Sequence, residues 1–248
     1  MRLDKYLVWS GFGTRKGVKK NLIRKGAVTV NGKVVRDSSY KLQKGDVVEV
    51  SGEIVPWPTE HVYIMLNKPQ GVITATEDEF HGTVMDLIDH PLVHKMFPVG
   101  RLDKNTEGLL IITTDGILGH RLISPKYRVE REYYVETEGK INEDMLRQAK
   151  EEGLVLEKSG TLMKVKDYDI IENEEDGAKL HMILTEGKYH EVKRIIGACG
   201  SRVSYLKRLR YGPLTLDEEL EPGQWRELTE EEIEALKKAV GMAEEEEK

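Results

Sequence analysis

The sequence predicts an α+β protein, with a small N-terminal module of two helices and a β-hairpin joined to a larger domain built on a mainly antiparallel mixed sheet flanked by helices. Three observations carry that expectation. Strand-like segments come in runs rather than in strict alternation with helices, which favours antiparallel pairing over a parallel sheet. The first fifty residues hold a complete helix–helix–hairpin pattern of their own. Charge is also divided unevenly, as it is when separate units do separate jobs. Residues 1–50 carry 12 Lys and Arg against 4 Asp and Glu, a local charge of +8, although the whole chain is at −6. Residues 217–248 carry 4 basic against 13 acidic side chains, or −9.

In the N-terminal module, Leu3, Tyr6 and Leu7 fall at helical spacing, and Gly11 and Gly13 end that helix. Thr14 is placed to cap a second helix running through Arg24, with Val18 and Leu22 on its apolar side and Gly26 at its end. On that helix Lys16, Lys20 and Arg24 stack one turn apart, with Arg15 and Lys19 beside them. No acidic residue interleaves to make i, i+4 pairs, so these cations repel one another unless an anionic partner is present. RNA phosphate fits that requirement. Asn31-Gly32 between β-branched runs then signals a hairpin.

Residues 51–60, with two prolines and no periodicity, read as a linker to a domain over 61–240; residues 241–248 read as an acidic tail. In the larger domain strands are expected near 62–67, 109–114, 131–137, 162–171, 179–185 and 203–209. Helices are expected near 83–89, 116–123, 141–152, 189–198 and 229–240. An apolar share of 39% beside 33% charged residues is that of an ordinary folded chain. No run approaches the roughly 18 apolar residues of a membrane span, and MRLDKYLVWSGFG lacks the pattern of a secretory leader. Cys199 is the single cysteine, which excludes an intramolecular disulfide and suits a cytoplasmic location. Nothing in the sequence demands more than a monomer.

The densest chemical signal is PVGRLDKNTEGLLIITTDG over 98–116, where Arg101 and Asp103 precede an apolar strand. A turn-rich segment before a buried strand can present a side chain into a cleft. By spacing alone, an Asp beside Gly and Asn is more often a turn former, and Arg-Leu-Asp serves equally well as a surface ion pair. A second basic group, Lys188, Lys193, Arg194, Arg202, Lys207, Arg208 and Arg210, has only Glu191 against it in the local sequence.

Two resemblances add to this reading. RLDKYLVWSGFGTRKGVKKNLIRKGAVTVNGKVV, closing with KLQKGDVVEV, resembles an S4 domain, a module of RNA-binding proteins. GRLDKNTEGLL resembles the central motif of the pseudouridine synthases that act on ribosomal RNA. MLNKPQGVITATED, REYYVETEG, LTEGKYHEVKRIIGACG and YLKRLRYGPLTLDEELEPGQWRELTEEE resemble further segments of that family in the same order. The resemblance implies isomerisation of uridine to pseudouridine without metal or cofactor, with Asp103 as catalytic carboxylate, Tyr133 as active-site tyrosine and Lys193 as its basic partner. It implies an RNA-binding role for Arg101, for Arg15, Lys16, Lys19, Lys20 and Arg24 of the module, and for Arg194, Lys207, Arg208 and Arg210. MRLDK, TVMDLI and LTLDEELEPGQWRELTEEEI look most like the branch that modifies 16S rRNA, in a small-subunit assembly intermediate. VEREYYV and Glu191 look more like the 23S branch. A non-catalytic RNA-binding assembly factor is the reading from a different class.

Overall fold

The computed structural model describes residues 1–43, 45–57, 61–156 and 160–242. It divides into two compact units, one of Met1–Glu60 with His90–His94, the other of His61–Asp89 with Lys95–Lys248.

The first unit begins with α1 (Leu3–Trp9) and α2 (Arg15–Val18), the latter continuing as a π-turn over Lys19–Ile23. The Thr14 hydroxyl accepts from Gly17 N at 3.2 Å, so the expected cap forms. β1 (Val28–Val30) and β2 (Lys33–Val34) make the Asn31-Gly32 hairpin, and β3 (Val48–Val50) pairs with β1 antiparallel. The stretch read as a linker starts too early. Residues Glu53–Val55 form β4, antiparallel to β3, with Ser51-Gly52 turning between them at positive φ. Val55 joins the buried cluster of Leu3, Tyr6, Leu7, Val18 and Val48, and its carbonyl accepts from Tyr6 Oη at 2.7 Å. The prolines at 56 and 58 suggested irregularity, but the apolar Ile54-Val55 pair before them is long enough to extend the sheet.

The second unit contains β5 (Tyr63–Lys68), β6 (Phe97–Pro98), β7 (Glu107–Thr113), α3 (Gly116–Ile123), β8 (Arg131–Thr137), α4 (Glu143–Glu151), β9 (Leu154–Val155) and β10 (Leu162–Met163). It continues with β11 (Asp167–Glu174), β12 (Gly177–Leu184), α5 (Glu191–Ala198), β13 (Val203–Tyr211), β14 (Leu214–Thr215), β15 (Trp225–Glu227) and α6 (Glu230–Ala239). The main sheet runs β11-β12-β8-β13-β7-β5-β15, with β14 on β13 and β6 on β7. Its pairings among the described residues are antiparallel except β13 with β7, a parallel contact joining Lys207 to Glu107 and Arg208 to Gly108. The α+β class with a mainly antiparallel mixed sheet is therefore what the chain adopts. The helix expected over 83–89 shrinks to a 3₁₀ turn, Val84–Leu87. Thr83 and Asp86 do form its capping box, but Ile88 is already extended, and His90 before Pro91 is biased away from helix. The strand expected over 162–171 is split into β10 and β11. The acidic tail lies from residue 243 onward outside the described residues.

Two apolar clusters flank the sheet. α4 and α5 bury Leu146, Val192, Ile195 and Ile196 against Val135, Leu180 and Leu206. α3 and α6 bury Leu118, Leu122 and Leu236 against Met65, Leu109 and Ile111. Among the described residues no helix is long and apolar enough to cross a membrane.

The parallel joint depends on Gly108. Its φ is +106°, and a Cβ there would lie 2.2 Å from the Arg208 carbonyl oxygen. Gly108→Ala is therefore expected to destabilise the protein by about 2 kcal/mol or more, from backbone strain and strand separation together. Urea unfolding monitored by tryptophan fluorescence measures this, and an unchanged midpoint would mean the joint is not tight.

Candidate active site

Asp103 lies in the loop between β6 and β7, and that loop is bound from three directions. Leu102 is buried, and its backbone is clasped by one side chain: Thr74 Oγ1 donates to Leu102 O at 2.7 Å and accepts from Leu102 N at 3.1 Å. Thr106 N donates to Asp103 O at 2.9 Å, closing a turn around the aspartate. Beneath it, Lys68 at the end of β5 is fully buried. Its ammonium donates to Pro69 O at 2.9 Å, Thr106 O at 2.8 Å and Lys104 O at 3.3 Å. Burial pushes the Lys68 ammonium down to about 8, opposed by the negative charges of Asp103 and Glu107.

α5 supplies the partner. Val192, Ile195 and Ile196 face the core, which leaves Lys193 on the cleft side. Lys193 Nζ donates to Asp103 Oδ2 at 2.6 Å, between side chains that are each about one-third exposed. The ammonium thus holds one oxygen of the carboxylate at the wall of the cleft.

The sheet supplies the third residue. Tyr133 on β8 stands beside Arg208 on β13, which stands beside Gly108 on β7, so one register row crosses three strands. Tyr133 packs partly on the α4–α5 cluster and also lines the cleft. The neighbouring Tyr134 faces the opposite side, edge-on to His181 and Tyr205. Asp103, Tyr133 and Lys193 thus line one cavity of about 780 Å³, a volume within the usual range for small-ligand sites. Arg101 is exposed and also lines it. Among the described residues no group of three or more His, Cys, Asp or Glu side chains is arranged to hold a metal.

The other basic residues are distributed differently from the sequence expectation. Arg208 is 2% exposed, which rules out a surface contact with RNA backbone; its Nε donates to Leu109 O at 2.8 Å, and its guanidinium lies 4.8 Å from the Tyr211 ring centre. Arg210 is held by Glu132 at 3.0 Å and Glu130 at 3.1 Å. Arg202 pairs with Glu138, and Lys188 contacts Glu186. The acidic residues missing from the local sequence therefore arrive largely from β8 and its flanks. Lys207 faces away from the cavity beside Tyr134, and Arg194 Nη1 donates to Tyr189 O at 3.4 Å. In the N-terminal unit Lys16, Lys19, Lys20 and Arg24 are exposed, while Arg15 pairs with the buried Asp4 at 2.9 Å.

Several site residues escaped sequence reasoning. Lys68 and Thr74 sit in a segment whose pattern says only strand and loop. Arg131 is buried at the cavity wall, donating to Glu186 O at 2.6 Å, Leu122 O at 3.1 Å and Tyr211 Oη at 3.1 Å. Glu191 is buried there too, with Oε1 lacking a hydrogen-bond partner among the described residues.

Comparison with known proteins agrees with this geometry. The model of the RNA pseudouridylate synthase family matches residues 62–198, and that of the S4 domain matches residues 1–48. The chain belongs to the RNA pseudouridylate synthases. It is 46% identical over 242 residues to an uncharacterized RNA pseudouridine synthase of Aquifex aeolicus, covering 97% of this chain and 98% of that one. It is 38% identical over 233 residues to the ribosomal small subunit pseudouridine synthase A of Yersinia pestis, covering 94% and 97%. A crystal structure of a pseudouridylate synthase matches with a TM-score of 0.65 at 34% identity, covering 95% of this chain and 99% of the other. The chain is thus an RNA-modifying isomerase of this family with an S4 module.

Glu191 of the synthase carries a pH consequence. Burial pushes its carboxyl up to about 7, opposed by the Lys188 backbone N–H and by the charges of Lys188 and Arg131. The folded value lies above the unfolded one, so the group favours folding fully at low pH and this contribution is lost as pH rises through about 7. Glu191→Gln is expected to raise stability at pH 8 by about 1–3 kcal/mol, with little change at pH 4.5. Urea unfolding at the two pH values tests this, and an equal shift at both would dissociate the effect from ionisation.

Proposed function

We propose that this synthase isomerises a uridine of 16S ribosomal RNA, in a small-subunit assembly intermediate, with Asp103 as the catalytic carboxylate. The observation that carries the chemical reading is the 2.6 Å Asp103–Lys193 pair, placed with Tyr133 in one cavity. The relative named for the small ribosomal subunit, alike over nearly its whole length, supports the choice of RNA.

The reaction breaks the bond between ribose C1′ and uracil N1, turns the base, and joins C1′ to C5. The proton released from C5 balances the one gained at N1, so no group enters or leaves and the chemistry calls for no redox or group-transfer cofactor. A carboxylate can act either at C1′ as a nucleophile or as a proton acceptor. Lys193 holds one of its oxygens. A uridine within folded RNA must first leave its stack, at a cost of a few kcal/mol. Tyr133 offers an aromatic face that returns about 1–3 kcal/mol by stacking. Arg101, exposed beside Asp103, is placed to fill the gap in the stack or hold a phosphate. The module over 1–50 docks the RNA through the exposed face of Lys16, Lys19, Lys20 and Arg24, which positions without reading sequence.

Glu191 supports a second reading, because this residue resembles the 23S branch. Pseudouridine mapping of rRNA from cells lacking the protein, complemented by the parent or by Asp103→Asn, separates these. The expected result is loss at one 16S uridine that only the parent restores. Loss at a 23S site would transfer the reading to the large subunit, and no lost site would favour a non-catalytic assembly factor.

A fourfold Lys16, Lys19, Lys20 and Arg24→Gln variant is expected to reduce the slope of log Kd against log salt by up to about 3–4 while leaving the bound-state rate intact. An unchanged slope would mean that this helix is not the docking face.

A further inference from the structure

His190 lies immediately before α5 in the left-handed region, with φ 49° and ψ 39°. For a residue other than glycine that conformation is costly, and such strain persists only where the surroundings impose it. The position is also the helix N-cap, usually filled by Ser, Thr, Asp or Asn in an extended conformation. Here the side chain makes no capping bond. The imidazole is instead stacked on Tyr189, with ring centres 3.8 Å apart and planes 20° from parallel. The stacked ring lies beside Asp103, with Nε2 3.3 Å from Asp103 Oδ1. Lys193 occupies the other oxygen, Oδ2.

We propose that His190 is a positioning residue for Asp103, holding Oδ1 from the side opposite Lys193 so that the carboxylate presents one fixed oxygen to the substrate. The inference rests on the catalytic reading of Asp103. A carboxylate held at one oxygen only can turn about its Cβ–Cγ bond, and the two oxygens then exchange places. With cations or donors at both, the plane is set. The two contacts differ in length, 2.6 Å against 3.3 Å, so Oδ2 is committed to Lys193 while Oδ1 is held in place and keeps lone-pair density for the reaction. The left-handed backbone makes this possible, because it lets one short segment deliver both residues: His190 from the turn and Lys193 from the first turn of α5. The Arg194 N to His190 O bond of 2.9 Å ties the turn to the helix.

Two variants separate the ring nitrogen from packing and backbone. His190→Phe keeps a ring on Tyr189 but no nitrogen, and His190→Gly adopts φ 49° without strain. Both are measured in single turnover on an rRNA transcript that the parent enzyme modifies, with RNA affinity measured separately. Each is expected to lose about tenfold to a hundredfold in rate, the scale of a misplaced reacting group, at unchanged affinity. Added imidazole is expected to restore part of the rate of His190→Gly and none of that of His190→Phe. A parental rate for His190→Phe would overturn the proposal, as would a loss in His190→Gly that imidazole leaves untouched. Asp103→Ala, run in parallel, keeps the two readings apart. If it turns over, the catalytic reading fails; if it is inactive while His190→Phe is parental, only the role of His190 falls.

Discussion

The site depends on a buried cation to which, among the described residues, no carboxylate is bonded. Lys68 is wholly enclosed, and its ammonium meets three backbone carbonyls of the segments that frame Asp103. Bringing an ammonium out of water costs several kcal/mol. Hydrogen bonds to a charged group offset about 1.5–3 kcal/mol each. Those bonds are the constraint that gives the loop its shape. They join the end of β5 to residues 104 and 106, and the Gly71 N to Lys104 O bond of 2.9 Å closes the same corner. A loop with this many short-range ties has few ways to move, and the carboxylate it carries inherits that rigidity.

Around this anchor the charges divide between shaping the cavity and serving the substrate. Arg131 and Arg208 are buried in its wall, and both lie within 5 Å of the Tyr211 ring centre, at 4.9 and 4.8 Å. Their donors go mainly to carbonyls and the Tyr211 hydroxyl, so they hold strand and helix ends together. Lys193 and His190 act on Asp103, and Arg101 remains exposed at the mouth. Cations thus surround one carboxylate, an arrangement that suits a polyanionic substrate.

The sequence made the outline legible and left the supports hidden, for a physical reason. Asp103, Tyr133 and Lys193 were reached through ordered motifs, since each lies in a segment whose residue pattern resembles the family on its own. Composition and spacing alone left Asp103 as a turn former. Lys68, Thr74 and His190 touch residues 28 to 87 positions away, the last from a left-handed turn, and no local periodicity announces such contacts. Charge counting failed in the other direction. Arg210 seemed unopposed because Glu130 and Glu132 are about 80 residues earlier, yet antiparallel pairing of β13 with β8 places them alongside. Arg208 was expected in contact with RNA although an alternating strand must bury one face. The lengths of α3 and α6 were well anticipated because caps and apolar spacing are local. The strand β4 was missed because two prolines nearby outweighed a two-residue apolar signal.

The one parallel contact of the sheet among the described residues explains why these residues meet. Antiparallel neighbours can be joined by short turns, but β7 and β13 lie about 100 residues apart and touch over only two positions. That contact works because residue 108 lacks a side chain and because Arg208 reaches across to Leu109 O. Tyr205 Oη donates to Glu107 Oε2 at 2.6 Å on the same joint. Consequently the strand that begins four residues after Asp103 is fastened to the strand whose other neighbour carries Tyr133. Without that joint the sheet would divide into two halves, one holding the carboxylate and the other the aromatic ring and the lysine helix. The meeting of Asp103, Tyr133 and Lys193 is therefore a property of the sheet's topology, with the loop and its buried lysine setting only the final ångströms.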